Sequence, residues 1–538
     1  MPRILLVDDD PDQLEIRKLI LEGEGHQVAT SSSRLDALSG FLESTPDVVV
    51  MDLRLPGAVD GLQLIRELHA ANHQVRIVVL SGWPADLTGK PEEALVLQVI
   101  QKPVKSHLLL RILGPLGILV LLCFAPALFA GSFTFHVSTA SEVTAVVEMS
   151  SSGTDWSRKG REGVLADVKL DGGALSQVMV YTPAVQSYAM FLGALTAGEH
   201  RLEVERNGRY SAAVTELSVR AARFEEHAAS EASYAMVAHA PIVYARPNTV
   251  GKFTDIPLLA YCEQMDGYLQ YSIIFSNEDG GTSTRALMAR WGRTTDIEHV
   301  YRVWLDPAGR ALRSTIQSKG HADVAFTGVR EGNHPLLYVS TVNNMVAGEG
   351  ASPIRYRLTP HRVDLSNASR EAVMDQHSFT YAIAAQELER EAKLRPFATV
   401  DGQKISDVRN YLYLEMRIAN RDSRIAARVQ LAGDPRWRSS HLGRTDYAME
   451  RDGWVRTTIE LPPGTRASQV VAIGVECLVE PAARDKPAPV AGSCHVERIS
   501  RAFFLDRQYV PQPALWRTSV SAEGWRIPTG ETFTWTLQ

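Results

Sequence analysis

Five polar side chains near the start of the chain have the types that phosphoryl transfer to a carboxylate requires. They are Asp8, Asp9, Asp52, Ser81 and Lys102, and each lies at or just after the end of a short apolar run. The reaction needs a nucleophilic carboxylate, a divalent cation that neutralises phosphoryl oxygens, and a fixed positive charge. Each of these requirements has a candidate among the five side chains.

Residues 1–111 alternate short apolar runs with amphipathic ones, which predicts an α/β fold with a five-stranded parallel sheet. In such a doubly wound fold, ligands bind beyond the carboxyl ends of the strands, so the five side chains should converge there. Asp10 is expected to cap the first helix, with Pro11 at its first position. The predicted strands cover residues 3–7, 27–30, 47–51, 75–80 and 97–101, and the last predicted helix covers residues 105–113.

Together with Leu55-Pro56 and Asp60-Gly61, these residues resemble the site of response-regulator receiver (CheY-like) domains, which have a flavodoxin-like fold. The resemblance implies that Asp52 accepts a phosphoryl group in two-component signalling. The implied partner is a histidine kinase or a phosphotransfer protein. No enzymatic activity is implied beyond phosphorylation and dephosphorylation of the domain itself.

The same resemblance assigns roles to the remaining residues of the site. Lys102 and the Ser81 hydroxyl would contact the phosphoryl group, and Pro103 corresponds to a cis-proline that aims the lysine. The implied Mg2+ ligands are Asp8, Asp9, Asp52 and the backbone carbonyl of Arg54. The cation prefers oxygen ligands and keeps several waters, which suits a cluster of carboxylates. One departure concerns output, because Val99 stands where many receivers have a mobile Tyr or Phe.

Residues 112–135 contain no charged residue and are long enough to cross a bilayer as a helix. Lys102, Lys105 and Arg111 precede this segment, and the next Lys or Arg is Arg158. This bias predicts a membrane protein with a cytoplasmic receiver and an extracytoplasmic remainder. Alternatively, the segment is an internal signal with an A-x-A cleavage motif at residues 125–127, and the C-terminal part is secreted.

After the hydrophobic segment the chain shows short alternating runs bounded by turn residues, which predicts mainly-β, sandwich-like modules. We expect three modules, at residues 136–225, 226–400 and 401–538, with one helical stretch at residues 370–393. Cys477 and Cys494 either close a disulfide or remain buried thiols. Both alternatives stay open, because pairing cannot be read from sequence.

One stretch of the second module resembles a toxin-like family. Residues 292–299, with the sequence GRTTDIEH, are similar to a motif of the necrosis- and ethylene-inducing toxin-like β-sandwich proteins, and the likeness extends over residues 239–345. In that family the acidic residues bind a divalent cation, which makes Asp296 and Glu298 candidate ligands of a second metal. The alternative is that both side chains face solvent on a strand.

The length of 538 residues predicts three or four domains, and the net charge of -6 gives no indication of nucleic-acid binding. Three functional hypotheses follow. The chain is a membrane-tethered signalling protein, or its receiver and its β region are functionally separate units joined in one reading frame. In the third, the β region binds a cation and a lipid or glycan headgroup.

Overall fold

The computed structural model describes residues 3–23, 25–55, 57–72, 75–82, 86–87, 90–102, 130–246, 255–278, 281–480, 491–513, 515 and 520–536. The chain divides into two compact units, Met1–Ala127 and Leu128–Gln538. The predicted fold class is confirmed, because a parallel α/β unit is followed by a series of mostly antiparallel sheets.

The first unit contains a five-stranded parallel sheet with the strand order β2-β1-β3-β4-β5. Its strands are β1 (Arg3–Val7), β2 (Gln27–Ser31), β3 (Val48–Asp52), β4 (Ile77–Ser81) and β5 (Gln98–Gln101). Its helices are α1 (Pro11–Gly23), α2 (Arg34–Ser44) and α3 (Ala58–Ala71), and Pro91–Leu95 forms a 3-10 helix before β5.

Both faces of this sheet are buried because the central strands are apolar at successive positions. In β1, Leu5 packs in a cluster with Phe41 of α2 and Leu64 of α3, whereas the adjacent Leu6 packs on the other face with Leu14 of α1. Burying a side chain of this size stabilises the fold by about 1.5 to 3 kcal/mol. Burial on both faces therefore holds the strands in place, and with them the polar residues at their ends.

The first helix begins as its sequence predicts. The Asp10 carboxylate accepts hydrogen bonds from the backbone N–H groups of Asp12 and Gln13, at 3.0 and 3.2 Å. Pro11 is the first helical residue, where its missing N–H costs nothing. The cap fixes the turn that carries Asp8 and Asp9 from β1 into α1.

The predicted membrane localisation is contradicted. Among the residues that the structure describes, none lies in a helix that is both long and apolar enough to span a bilayer. Pro103, the helix predicted at residues 105–113 and residues 112–129 of the predicted span lie outside the described residues. The last part of that span, residues 130–135, belongs to a strand hydrogen-bonded to residues 200–205, with Ser132 and Thr134 exposed.

The second unit begins with two antiparallel sheets, of orders β10-β7-β12 and β6-β11-β8-β9. Their strands are β6 (Ala130–Val137), β7 (Ser141–Ser152), β8 (Val164–Leu170), β9 (Gly173–Val180), β10 (Gln186–Leu195), β11 (Gly198–Arg206) and β12 (Glu216–His227). Val147 of β7, Val168 of β8 and Leu202 of β11 pack in one buried cluster, so both sheets share a core.

The middle of this unit has a six-stranded sheet of order β18-β17-β16-β15-β14-β23 and a smaller sheet in which β13 lies between β20 and β22. The strands are β13 (Ile242–Tyr244), β14 (Pro257–Met265), β15 (Tyr268–Phe275), β16 (Asp296–Leu305), β17 (Ala311–Ser318), β18 (Ala322–Ala325), β19 (Arg330–Glu331), β20 (His334–Val339), β21 (Val346–Ala347), β22 (Arg355–Tyr356) and β23 (His361–Val363).

Four helices accompany these sheets: α4 (Tyr234–Ala238), α5 (Thr284–Trp291), α6 (Ala372–Gln376) and α7 (Phe379–Arg390). The single helical stretch predicted at residues 370–393 is therefore wrong in its continuity. His377, with φ -125° and ψ 63°, leaves the helical region between α6 and α7. The alanine-rich composition favoured helix on both sides of this break but did not specify the break itself.

The last part of the unit has two four-stranded antiparallel sheets, of orders β27-β24-β29-β30 and β26-β25-β28-β31. The strands are β24 (Tyr411–Arg421), β25 (Ser423–Leu431), β26 (Trp437–Ser439), β27 (Gly453–Glu460), β28 (Val470–Val479), β29 (Ser493–Phe503), β30 (Val520–Pro528) and β31 (Thr532–Thr536). A disulfide between Cys477 of β28 and Cys494 of β29 joins the two sheets. The module boundaries given above stay a prediction.

Candidate functional site

The carboxyl edge of the parallel sheet brings the sequence-predicted residues together. Asp8 and Asp9 follow β1, Asp52 ends β3, Ser81 ends β4, and Lys102 follows β5. Because the strands are parallel, these ends lie at one edge, where open α/β sheets bind ligands. The Lys102 backbone N–H donates to the Ser81 carbonyl oxygen at 3.0 Å, which extends the strand pairing up to the lysine.

Three carboxylates form the acidic part of the site. One oxygen from each of Asp8, Asp9 and Asp52 lies within 4.8 Å of the other two. Asp8 is buried, Asp52 is half-buried and Asp9 is exposed, so the cluster opens to solvent on one side. A compact set of carboxylate oxygens is the donor set that Mg2+ prefers, and these residues therefore fit the implied cation.

Lys102 supplies the positive charge of the site. Its Nζ lies 2.7 Å from Oδ2 of Asp52 and 3.0 Å from Oδ2 of Asp8. The side chain is 24% exposed, so the ammonium is partly shielded from water while it contacts both carboxylates. Partial desolvation strengthens such charge pairs relative to those at a fully exposed surface.

Arg17 is a second cation in contact with the cluster, and sequence reasoning missed it. Its Nη1 lies 2.6 Å from Oδ2 of Asp8, and its Nη2 donates to the Gln13 side chain at 2.9 Å. Burial on its own would raise the pKa of Asp8, but hydrogen bonds from Arg17, Lys102 and the Asp10 backbone N–H outweigh burial and lower it. The available signal was the helical spacing of Gln13 and Arg17, four residues apart on α1.

The loop after β3 places Arg54 beside Asp52. The backbone N–H of Arg54 lies 3.3 Å from Oδ1 of Asp52, and its guanidinium pairs with Asp86 at 2.8 Å. Gly61 of α3 is packed against this loop, since a Cβ at Gly61 would lie 1.9 Å from the Leu53 carbonyl oxygen. The Arg54 carbonyl as a metal ligand stays a prediction.

The fold and this arrangement of side chains are those of a response-regulator receiver domain. Residues 4–113 match the family model described as "Response regulator receiver domain", so this part of the chain is a receiver domain and the predicted resemblance is confirmed.

Two curated proteins are each similar to a short segment of this chain. The transcriptional regulatory protein AfsQ1 of Streptomyces coelicolor is 36% identical over 87 residues, which are 16% of this chain and 38% of the relative. The DNA-binding response regulator MtrA of Mycolicibacterium smegmatis is 42% identical over 80 residues, 15% of this chain and 34% of the relative. The chain thus spans just over a third of the length of these relatives.

Among solved structures, a CheY-like receiver domain from Methylobacillus flagellatus is 32% identical to this chain. The match covers 21% of this chain and 96% of that structure, with a TM-score of 0.20.

The second predicted metal site has a different environment from the one expected. Asp296 and Glu298 lie on β16 and are buried, with 1% and 6% of their surface exposed, so the solvent-facing alternative is wrong. A guanidinium nitrogen of Arg293 lies 3.9 Å from a carboxylate oxygen of Asp296 and 3.9 Å from one of Glu278. Arg293 thus takes the place of a cation beside Asp296 and Glu278, and within the described residues the carboxylates that lie close enough together to hold an ion are those of the receiver.

Proposed function

We propose that the receiver domain takes a phosphoryl group from the phosphohistidine of a histidine kinase or phosphotransfer protein onto Asp52. The observation that carries this proposal is the contact of the Lys102 ammonium with the Asp52 carboxylate, at 2.7 Å, inside the acidic cluster. A lone exposed aspartate would have no group on hand to stabilise an incoming phosphate. Here the stabilising charge is already in place.

The chain's own residues have separate tasks in the transfer. A carboxylate oxygen of Asp52 attacks phosphorus, the P–N bond to the donor imidazole breaks, and the imidazole leaves with the bonding electron pair. The Lys102 ammonium stabilises the negative charge of the phosphoryl oxygens. The Ser81 hydroxyl, at the end of β4, donates a hydrogen bond to one of these oxygens after transfer.

Asp8, Asp9 and Asp52, with the Arg54 backbone carbonyl, would hold Mg2+ at this edge. When bound, Mg2+ neutralises part of the charge on the phosphoryl oxygens. The lowered pKa of Asp8 keeps that carboxylate ionised and available as an oxygen donor at neutral pH. The Asp10 backbone N–H, 3.1 Å from Oδ1 of Asp8, holds the carboxylate in a fixed orientation.

The proposal is tested by phosphorylating the full chain with acetyl phosphate and Mg2+ and measuring the phosphorylated fraction by gel mobility. We expect labelling of the wild-type protein and none of Asp52→Asn, since the amide cannot form the acyl phosphate. Asp12→Asn is the matched control, because Asp12 is exposed on α1 near the site. Equal labelling of Asp52→Asn and wild type would refute the assignment of the nucleophile.

A further inference from the structure

A cavity of about 500 Å³ lies in the second unit among α5, β16, β17 and the residue run that precedes β27. Its volume is in the range of sites for small molecules. Polar and charged side chains dominate its wall, and the six used below are Trp291, Glu298, Gln317, His321, Arg370 and Arg451.

Glu298 has a carboxyl group in the cavity wall. Its side chain is 8% exposed, and its nearest ion-pair partner is Nδ1 of His321 at 4.0 Å. Among the described residues, none donates a hydrogen bond to the Glu298 carboxyl group. Because Glu298 lies in the cavity wall, its carboxyl group is available to a ligand that enters the cavity.

Gln317, also in the cavity wall, has a buried polar atom that the described residues leave without a hydrogen bond, which costs free energy and indicates a ligand. Its side-chain oxygen is buried and accepts no hydrogen bond within the described part of the chain, although its amide nitrogen lies 3.1 Å from Nδ1 of His321. His321 itself has φ 60°, in the left-handed region. Backbone conformations of this kind cost free energy and are concentrated at functional sites.

Arg370 and Arg451 form the cationic side of the cavity. Arg370 donates to the Ile297 carbonyl oxygen at 2.6 Å and lies 3.4 Å from the Glu371 carboxylate. Arg451 is exposed, and the described residues offer its side chain no hydrogen bond or ion pair. The neighbouring guanidinium of Arg370 is the largest influence on the pKa of Arg451, which falls to about 10. Two guanidinium groups that repel each other are well placed to share an anion.

A metal cation is disfavoured by the same surroundings. The guanidinium of Arg293 already lies between the carboxylates of Glu278 and Asp296. Within the described residues, the acidic side chains that cluster closely enough to hold an ion are those of the receiver. Burial and, next, the Asp296 carboxylate raise the pKa of Glu298 to about 8, so Glu298 is mostly protonated at neutral pH and is a hydrogen-bond donor.

We propose that this cavity binds a small organic anion whose carboxylate or phosphate group lies between the guanidinium groups of Arg370 and Arg451 and accepts a hydrogen bond from Glu298. The indole of Trp291 provides an apolar wall for the remainder of the ligand. This site is independent of the receiver and of the function proposed for it.

Isothermal titration of the full chain with inorganic phosphate and, separately, with benzoate tests the proposal and distinguishes the two anion types. We expect saturable binding of at least one of these anions. Arg451→Glu should weaken that binding at least about tenfold, because the anion loses one contact with a positive charge and is repelled by the new negative charge. Arg220→Glu is the matched control, because Arg220 is an exposed arginine of β12 away from the cavity.

The role of Glu298 is tested by pH with benzoate, whose charge is constant between about pH 7 and about pH 9. Raising the pH ionises Glu298, which then repels the anion, and we expect about tenfold weaker binding. The charged or titratable groups that face Glu298 are Glu278, Arg293, Asp296, His321, Arg370 and Arg451.

Glu298→Gln isolates the carboxyl group from these neighbours, because the amide still donates a hydrogen bond but does not ionise. Binding to this variant should weaken much less between the two pH values, and the remaining effect comes from Glu278, whose pKa is about 7. The proposal is overturned if neither anion binds, if Arg451→Glu binds as tightly as wild type, or if Mn2+ binds to the cavity and the anions do not. A pH effect in Glu298→Gln as large as that of the wild type overturns the assigned role of the carboxyl group.

Discussion

The guanidinium of Arg17 lies 2.6 Å from Oδ2 of Asp8, the same carboxylate oxygen that the Lys102 ammonium contacts at 3.0 Å. Two cations therefore share one oxygen of the receiver's acidic cluster. Both must be repelled to some degree by a divalent cation bound to the same carboxylates. At the proposed Mg2+ site, the affinity would therefore depend on the basic residues around the cluster as well as on the acidic ones.

Replacing Arg17 with Gln should strengthen Mg2+ binding by about tenfold, because a positive charge in contact with a ligand carboxylate is removed. The pKa of Asp8 should rise towards its usual value at the same time, since one of the hydrogen bonds that lower it is lost. Isothermal titration with Mg2+ at neutral pH measures the first effect. Arg34→Gln is the matched control, as Arg34 pairs with Glu67 at 2.7 Å. Weaker binding by Arg17→Gln would show instead that Arg17 holds Asp8 in its binding orientation.

Replacing Lys102 with Met should reduce phosphorylation by acetyl phosphate at least about tenfold, because the charge that stabilises the transferred group is lost. The variant should also unfold at a lower temperature without Mg2+, since Asp8 and Asp52 lose their shared counter-charge. Added Mg2+ should recover more stability in the variant than in the wild type.

Gel mobility and thermal unfolding measure these effects of Lys102→Met. Lys90→Met, at an exposed lysine, is the control. Unchanged phosphorylation of the Lys102 variant would contradict the proposed role of the ammonium.

The receiver site could be predicted because each of its predicted residues lies at or just after the end of a buried strand. Each of these strands is visible in the sequence as a local apolar run. Asp52, for example, follows four buried residues of β3. Parallel pairing then places all such ends at one edge without any further information. Arg17 escaped prediction because it lies on a helix flank, where an arginine is ordinarily a solvated surface charge.

The surroundings of Glu298 could not be predicted because its neighbours come from distant parts of the chain. Arg370 follows β23 and Arg451 precedes β27, and no periodicity in either segment signals a cavity. The apolar run at residues 112–135 was misleading for a similar reason. The pairing of β6 with β11, far along the chain, determines the structure of its last residues.

The disulfide between Cys477 and Cys494 should contribute about 3 kcal/mol to the stability of the last two sheets, given its sequence separation of 17 residues. We expect the double variant Cys477→Ala with Cys494→Ala to unfold at a lower temperature than the wild type. A reducing agent should lower the unfolding temperature of the wild type and of Cys262→Ala, in which the disulfide remains. The same agent should leave the double variant unchanged. An unfolding temperature of the wild type that does not respond to reduction would contradict this contribution.

Glu298 and Glu278 should make the second unit less stable as the pH rises from about 5 to about 8. Burial raises the pKa of Glu298 to about 8 and that of Glu278 to about 7, whereas an unfolded chain releases these protons near the ordinary value for glutamate. Between the two values the folded state binds more protons than the unfolded state, so each increase in pH favours unfolding. Below the unfolded pKa both states are protonated and the effect vanishes.

Urea unfolding at about pH 5.5 and about pH 8 measures this slope. Glu298→Gln should reduce the slope because an amide does not ionise in this pH range. The reduction should amount to a few kcal/mol at most, at about 1.4 kcal/mol for each unit of pKa shift. Glu216→Gln, at an exposed glutamate of β12, should keep the wild-type slope. If Glu298→Gln and Glu216→Gln show the same pH dependence, then Glu298 is ionised in the folded protein at neutral pH. The hydrogen bond proposed from its carboxyl group to an anion would then be lost as well.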